Sequence, residues 1–319
     1  PCALGLAGPA VSTVATGRLF RAGVLVKSET ALERLAEVDT VVFDKTGTLS
    51  DAAQITGTDM PEQARAVLKA LAQASHHPLS RSILPALDKI TAADVRDIRE
   101  HRGQGVQGAL DGLTVALGDG AWVGQGNGTA LRMGSEPFAL ERRERALPEA
   151  REALRALSNM GLAVHMLTGD SAANADRMAT TLGIDHVHAS VSPARKQALI
   201  QNLQTKGQKV LMVGDGLNDT LALTQAWASI APGTALEASQ NAADVVLLGQ
   251  HLSGIADVLK LARSARARIL ENFGLAAAYN MIAIPLALAG FATPLMAALA
   301  MSTSSITVTL NALRTKAGR

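Results

Sequence analysis

The 319-residue sequence has one cysteine, Cys2, so no internal disulfide can form. Aromatic residues make up only 3% of the chain although 48% of it is hydrophobic. Ala, Leu, Val and Gly fill the apolar quota, as they can in tightly packed helices. Charge of neither sign dominates: the formal net charge is +2, which gives no argument for nucleic acid as a partner. An initiating methionine is absent, Pro1 opens straight into an apolar run, and no signal peptide is visible. The chain therefore reads as part of a longer protein whose upstream half is missing, with a complete, processed protein as the alternative. Its length suits one or two soluble domains plus membrane segments.

The run TVVF at 40–43 leads into Asp44 and reads as a buried parallel strand. Similar runs fall at 163–167, 209–213, 227–231 and 244–248, and helical stretches such as 149–159 and 194–205 separate most of them. This alternation predicts a doubly wound α/β domain. Three of the runs end in DKTGT, TGD and GDG. Polar loops at the carboxyl ends of parallel strands are where such sheets place their sites. Between about 56 and 142 the pattern changes. A helical segment at 61–74 leads to SHHPLSRS, and glycine-rich stretches follow, GQGVQG at 103–108 and LGDGAWVGQGNG at 117–128. Glycines among alternating apolar residues suggest hairpins. A separate small α+β domain is expected there, inserted after the first strand of the α/β domain.

Residues 1–20 are apolar and small, with Arg18 and Arg21 at their end. Alone they are short for a spanning helix, which needs about 20 apolar residues. They fit the inner half of a helix that starts before residue 1, and the basic residues place this end on the cytoplasmic side. The stretches 274–293 and 294–313 are uncharged and near the spanning length, and the short link with Pro294 makes them a helical hairpin. Arg266, Arg268, Arg314, Lys316 and Arg319 flank its outer ends, which should both face the cytoplasm. A pair of buried core helices is the alternative.

The strongest chemical signal is DKTGTLS at 44–50. A carboxylate at a strand's end, followed by a Gly-containing turn, offers an exposed nucleophile amid backbone N–H groups that can hold phosphate oxygens. The motif resembles that of the P-type ATPases, with Ser50 where Thr is usual. That resemblance implies that Asp44 accepts the γ-phosphate of ATP as an acyl phosphate, with Lys45 in the same motif. TGD at 168–170 and GDGLND at 214–219 complete the set in family order. Asp215 should sit near Asp44, and a hard divalent cation offsets the repulsion of carboxylates and triphosphate. The resemblance assigns Mg²⁺ to Asp44, Asp215 and the backbone carbonyl of Thr46. It places Asn218 and Asp219 in the same loop, has Thr168 donate to a phosphate oxygen, and has Lys196 offset charge on the transferred phosphoryl group. By itself Lys196 reads as a solvated helix residue. Asp170 is either a phosphate-site residue or a turn former.

The inserted segment resembles the nucleotide domain of the heavy-metal branch of this family. His77-Pro78 matches its Ser-Glu-His-Pro motif, with His76 in place of the Glu. GQGVQG matches its Gly-x-Gly-x-x-Gly, which implies close approach of backbone to ATP at Gly103 and Gly105. Gly118-Asp119 falls where the branch has Gly-Asn, so Asp119 stands as a further nucleotide-site candidate. Pro1-Cys2 resembles the end of the Cys-Pro-Cys motif of heavy-metal pumps. Proline frees backbone groups inside a membrane helix, and thiolate selects soft ions such as Cu(I). Tyr279-Asn280 and Met301 with Ser305 resemble the Tyr-Asn and Met-x-x-Ser-Ser patterns of the copper group, and Met offers a soft thioether. Neither the Lys nor the Asp expected of the zinc group is present in these helices. The alternative role of Asn280, Ser304 and Ser305 is bonding to neighbouring helices.

The organisation implied is as follows. Residues 1–26 end a membrane helix and extend it into the cytoplasm. Residues 27–55 and 143–262 form a haloacid-dehalogenase-like phosphorylation domain, and 56–142 a nucleotide-binding domain. Residues 263–319 form two transmembrane helices. The implied activity is ATP-driven transport of Cu(I) or Ag(I), in a plasma membrane with the ATP-binding domains cytoplasmic. The implied partners are the lipid bilayer, an upstream actuator domain with earlier membrane helices, and a copper chaperone. No Thr-Gly-Glu occurs in the chain. The piece by itself should therefore be phosphorylated yet turn over poorly. Two rival readings remain: a pump for Zn²⁺, Cd²⁺ or Co²⁺, and a soluble haloacid-dehalogenase-type phosphatase. Such phosphatases carry an Asp two residues after the nucleophile, where this chain has Thr46.

Overall fold

The structure is a computed structural model that describes residues 2–315 apart from 29, 51–53, 57–59, 76, 78–79, 81–82, 102, 127, 216–218, 250–251 and 292. Asn218, Pro78 and Lys316 therefore lie outside the described residues, as does the side chain of Cys2. The chain divides into two compact units: Pro1–Leu49 with Ala146–Arg319, and Ser50–Arg145. The expected inserted segment, 56–142, lies within the second.

The strands of the first unit before the insertion are β1 (Val24–Val26) and β2 (Thr40–Asp44). The second unit supplies β3 (Gln54–Thr56), β4 (Arg96–His101), β5 (Gly105–Leu110), β6 (Leu113–Asp119), β7 (Thr129–Met133) and β8 (Glu136–Arg143). The first unit then resumes with β9 (Ala163–Leu167), β10 (His186–His188), β11 (Val210–Val213), β12 (Ala228–Pro232) and β13 (Val245–Leu247).

The first unit's sheet runs β1-β13-β12-β11-β2-β9-β10, all parallel except β1 at one edge. Every residue of β2 is buried, as a parallel strand covered on both faces requires. Val41, Phe43, Val164, Met166, Leu211 and Val213 face one core with the helices 150–159 and 172–182. Val42, Leu167, Val210 and Met212 face the other, under Ile200 and Leu203 of the helix Pro193–Thr205. That helix starts where the sequence marks it: Ser192 caps it by accepting from the Arg195 N–H at 3.4 Å, and Pro193 occupies its first turn. Gly183 ends the helix 172–182 in a left-handed conformation (φ +74°). β1 and β10, three residues each, gave no sequence signal because neither is long enough to show a period.

The helix Ser253–Leu288 is continuous over 36 residues. Its first part buries Ile255, Val258, Leu259 and Ala262 in the α/β core, and its second part exposes Phe273, Leu275, Met281, Ile282 and Leu286. The boundary expected at 263 falls inside this helix. No Pro interrupts the helix before Pro285, so nothing local separates the two parts. Ser253–Leu288 and Pro294–Ala312 are each long and apolar enough to cross a membrane. The first helix, Cys2–Arg21, packs on this hairpin through Ala7, Ala276 and Val308, small side chains that let helices approach closely. At that junction the buried Asn272 donates to the carbonyls of Ala7 (3.2 Å) and Val308 (3.4 Å), and accepts from the Asn311 amide at 2.9 Å.

The second unit is a six-stranded antiparallel sheet, β3-β8-β7-β6-β5-β4. Its core packs Val67, Leu68 and Leu71 of the helix Glu62–Ala74 against Val106, Val115, Leu117 and Leu131.

Candidate active site

Asp44 ends the inner strand β2, between the ends of β9 and β11. The β9 end carries Thr168 and Asp170, and the β11 end carries Asp215 and Asp219. One carboxylate oxygen each of Asp44, Asp215 and Asp219 lies within 4.8 Å of the others. Lys196, on the helix Pro193–Thr205, places its ammonium on Asp44 and donates to Asp219 at 2.7 Å. All three of those side chains are nearly sealed from water.

Burial, then the nearby Asp219, pushes the Asp44 carboxyl up to about 6, against the pull of Lys196. Burial and Asp219 likewise push Asp215 up to about 6. Burial pulls the Lys196 ammonium down, but Asp44 and Asp219 outweigh it and hold its pKa above the ordinary lysine value. Three carboxylates against one ammonium leave a formal excess of two negative charges. Oxygen ligands with that excess fit a hard divalent cation such as Mg²⁺. The half-buried Thr46 lies in the same loop, two residues after Asp44.

Gly47 is left-handed (φ +75°), and a Cβ there would lie 1.7 Å from Asp215 Oδ2. Only glycine lets the DKTGT turn pass under the Asp215 carboxylate. Lys45 is buried and pairs with Asp170. Thr168 is buried, and its hydroxyl accepts from the Asp170 N–H at 3.1 Å. Asp170 thus ties the TGD loop to the DKTGT loop. Thr48 was not singled out from sequence, yet its buried hydroxyl has no hydrogen-bond partner among the described residues. Its place in DKTGTLS was the available signal. An orphaned donor in the loop that follows Asp44 fits an oxyanion ligand.

In the second unit His77 is exposed, and its N–H donates to Ser75 Oγ at 3.2 Å. Gly103 sits in a turn with φ +76°. Gly105 faces Gly118 across β5 and β6, and a Cβ on Gly105 would lie 2.2 Å from the Leu117 carbonyl oxygen. Close approach of two strands accounts for that glycine. Asp119 caps the short helix Gly120–Val123 by accepting from the Ala121 N–H at 3.0 Å. In the hairpin, Tyr279 and Ser304 line a cavity of 530 Å³ with Met296, Leu299, Thr303 and Thr307. Asn280 and Ser305 are half-buried and Met301 is exposed, and none of the three lines that cavity.

A mainly parallel sheet with an Asp at the end of an inner strand and a Lys donating to it is the arrangement of a class of phosphoryl-transfer domain. A family model for haloacid dehalogenase-like hydrolases matches residues 38–226, and a second of the same description matches 195–259. The chain belongs to this family and, within it, to the heavy-metal P-type ATPases. It is 40% identical over 331 residues to the nitrogen fixation protein FixI of Bradyrhizobium diazoefficiens, across 99% of this chain and 45% of that protein. It is 35% identical over 356 residues to a copper-transporting P-type ATPase of Rhizobium leguminosarum bv. viciae, across 98% of this chain and 42% of that one. The structure of a zinc-transporting PIB-type ATPase in its E2.Pi state matches with a TM-score of 0.79 at 27% identity, covering 98% of this chain and 56% of that chain. The chain thus spans less than half the length of these two curated relatives. The family implies ATP and Mg²⁺ as the reacting nucleotide and its metal.

Proposed function

We propose that this chain carries the phosphorylation machinery and part of the ion path of an ATP-driven Cu(I) pump. The observation that carries the reading is the buried Asp44, gripped by Lys196 and faced by Asp215 above Gly47. An Asp44 oxygen attacks the γ-phosphorus of ATP, the bond to the β–γ bridging oxygen breaks, and ADP departs. Lys196 already lies where negative charge accumulates, and Asp219 holds it there. Thr48 and Thr168 supply hydroxyls to the phosphoryl oxygens, and the Lys45–Asp170 pair fixes the two loops. Mg²⁺, held by Asp44, Asp215 and the Thr46 carbonyl, offsets the charge of the phosphate when bound. Asn218 belongs to the same loop. Thr46 stands where an acid/base Asp would activate water, which favours a long-lived aspartyl phosphate.

His77, Gly103, Gly105 and Asp119 are the nucleotide-binding candidates of the second unit, although Gly105 and Asp119 also have the structural roles described above. Cys2, Tyr279, Asn280, Met301 and Ser305 are the proposed Cu(I) groups. The copper-transporting relative and the soft sulfur ligands support this cargo. The zinc-transporting structural neighbour supports the second reading, a Zn²⁺ pump. The proposed setting is a plasma membrane, with the ATP-binding domains cytoplasmic and with further helices, an actuator domain and a copper chaperone as partners. Phosphorylation of the full-length protein from γ-labelled ATP with Mg²⁺ is the test. An acid-stable, hydroxylamine-labile label that requires Cu(I) or Ag(I) and is lost in Asp44→Asn is expected. A label stimulated by Zn²⁺ alone would remove the copper assignment, and no label at Asp44 would remove the pump.

A further inference from the structure

Three of the seven histidines lie together on one face at the edge of the first unit's sheet. His165 on β9 is paired in register with His186 on β10, and His188, two residues on, shares that face. The alternate residue Val187 turns to the opposite core. His165 is 7% exposed, His188 is half-buried and His186 is exposed, so the group runs from the interior to the surface. His165 Nδ1 lies 3.2 Å from His188 Nε2, and the His186 ring stacks on His165 with centroids 4.5 Å apart.

We propose that His165, His186 and His188 form a binding site for one divalent transition-metal ion of borderline softness, Zn²⁺ or Cu²⁺. Two imidazole nitrogens bound to one tetrahedral ion at about 2.0–2.1 Å lie about 3.3–3.4 Å apart. The His165–His188 pair stands close to that separation, at 3.2 Å. On binding, the proton between them moves to the donor ring's other nitrogen, and the two rings turn to aim their lone pairs at the ion. His186, stacked alongside and exposed, reaches the ion by a side-chain rotation, and solvent fills the fourth position. Imidazole suits Zn²⁺ and Cu²⁺, whereas Mg²⁺ requires oxygen ligands, so this site and the carboxylate cluster select different ions. Burial, then His186 and His188, hold the His165 ring down at about 4, which keeps it neutral and its lone pair available at neutral pH.

The full chain in detergent, carrying Cys2→Ser and with excess Mg²⁺ to occupy the carboxylates, is titrated with Zn²⁺, and bound metal is counted after dialysis. One ion per chain is expected. His188→Gln and His186→Gln, both on the edge strand, should each weaken binding by about tenfold or more, the scale typical even of outer-shell losses. The unmodified chain gives an independent reading, since X-ray absorption at the bound zinc should show imidazole scatterers. Absence of a bound ion, wild-type affinity in either variant, or a zinc shell without imidazole would overturn the proposal.

Discussion

Replacing Lys196 by Met removes an ammonium in contact with both Asp44 and Asp219 and leaves a side chain of similar length. In the native chain the side-chain exposures of Lys196, Asp44 and Asp219 are 8%, 10% and 1%, so solvent cannot take over the role. Breaking such a buried pair by removing one partner costs about 3–5 kcal/mol, because a charge stays buried without compensation. The cost should depend on pH. Asp44 stands at about 6 with the lysine present, against an ordinary 3.8, and without it the carboxyl rises further. A carboxyl whose folded pKa lies above its unfolded value contributes stability that is complete below the unfolded pKa and is lost as pH rises through the folded one. Protonation also caps the deficit relative to the native chain, at about 1.4 kcal/mol per pH unit above the native Asp44 value of about 6. The deficit of the variant should therefore be about 3 kcal/mol at pH 8 and well under about 1 kcal/mol at pH 5, where Asp44 is protonated in both chains. Trp227 is a local probe, since its indole N–H donates to the Arg34 carbonyl at 3.1 Å within the same unit. With Trp122 replaced by Phe, Trp227 is the only tryptophan, and its fluorescence during urea unfolding of the detergent-solubilised chain reads this unit. A deficit below about 1 kcal/mol at pH 8, or one unchanged down to pH 5, would refute the charge argument.

Gly47→Ala should strain the left-handed turn by about 1–2 kcal/mol and push Asp215 aside. A displacement of that size costs about 100-fold in phosphorylation rate, measurable by rapid quench, and a near-native rate would contradict the geometry. Asp215 is raised to about 6, so it contributes to a loss of stability in metal-free protein as pH climbs through 6. Asp215→Asn should flatten that profile by under about 1 kcal/mol, given its partial exposure, and abolish stabilisation by Mg²⁺ in thermal melts. Asp244 accepts from the Arg34 guanidinium and from the N–H and hydroxyl of Ser229. Asp244→Ala should therefore cost about 3 kcal/mol in the same Trp227 experiment.

The doubly wound sheet was legible because each buried strand is a short apolar run ending in a polar turn, and such runs depend only on neighbouring residues. The site was legible for the same reason: DKTGT, TGD and GDG lie at the ends of three such runs. Gly103 and Gly105 of GQGVQG are nucleotide-site candidates, and Gly105 is also pressed against β6. Spacing alone cannot distinguish a ligand from a second strand. Asn272 and Asn311 passed unnoticed, since a lone Asn in an apolar helix gives no sign of the two helices it joins.

The amino-acid order by itself determined the strand ends, the position of the candidate nucleophile and the two helices long and apolar enough to span a membrane, all consequences of local periodicity and side-chain chemistry. Tertiary structure decided which charges meet: Lys196 on both Asp44 and Asp219, Lys45 on Asp170, Asp215 over Gly47. It also decided that three histidines from two strands share one face. These contacts join residues up to 168 positions apart, Gly47 to Asp215. Which of them form is fixed by strand crossovers and by the cost of leaving a buried charge alone, and no window along the chain contains either.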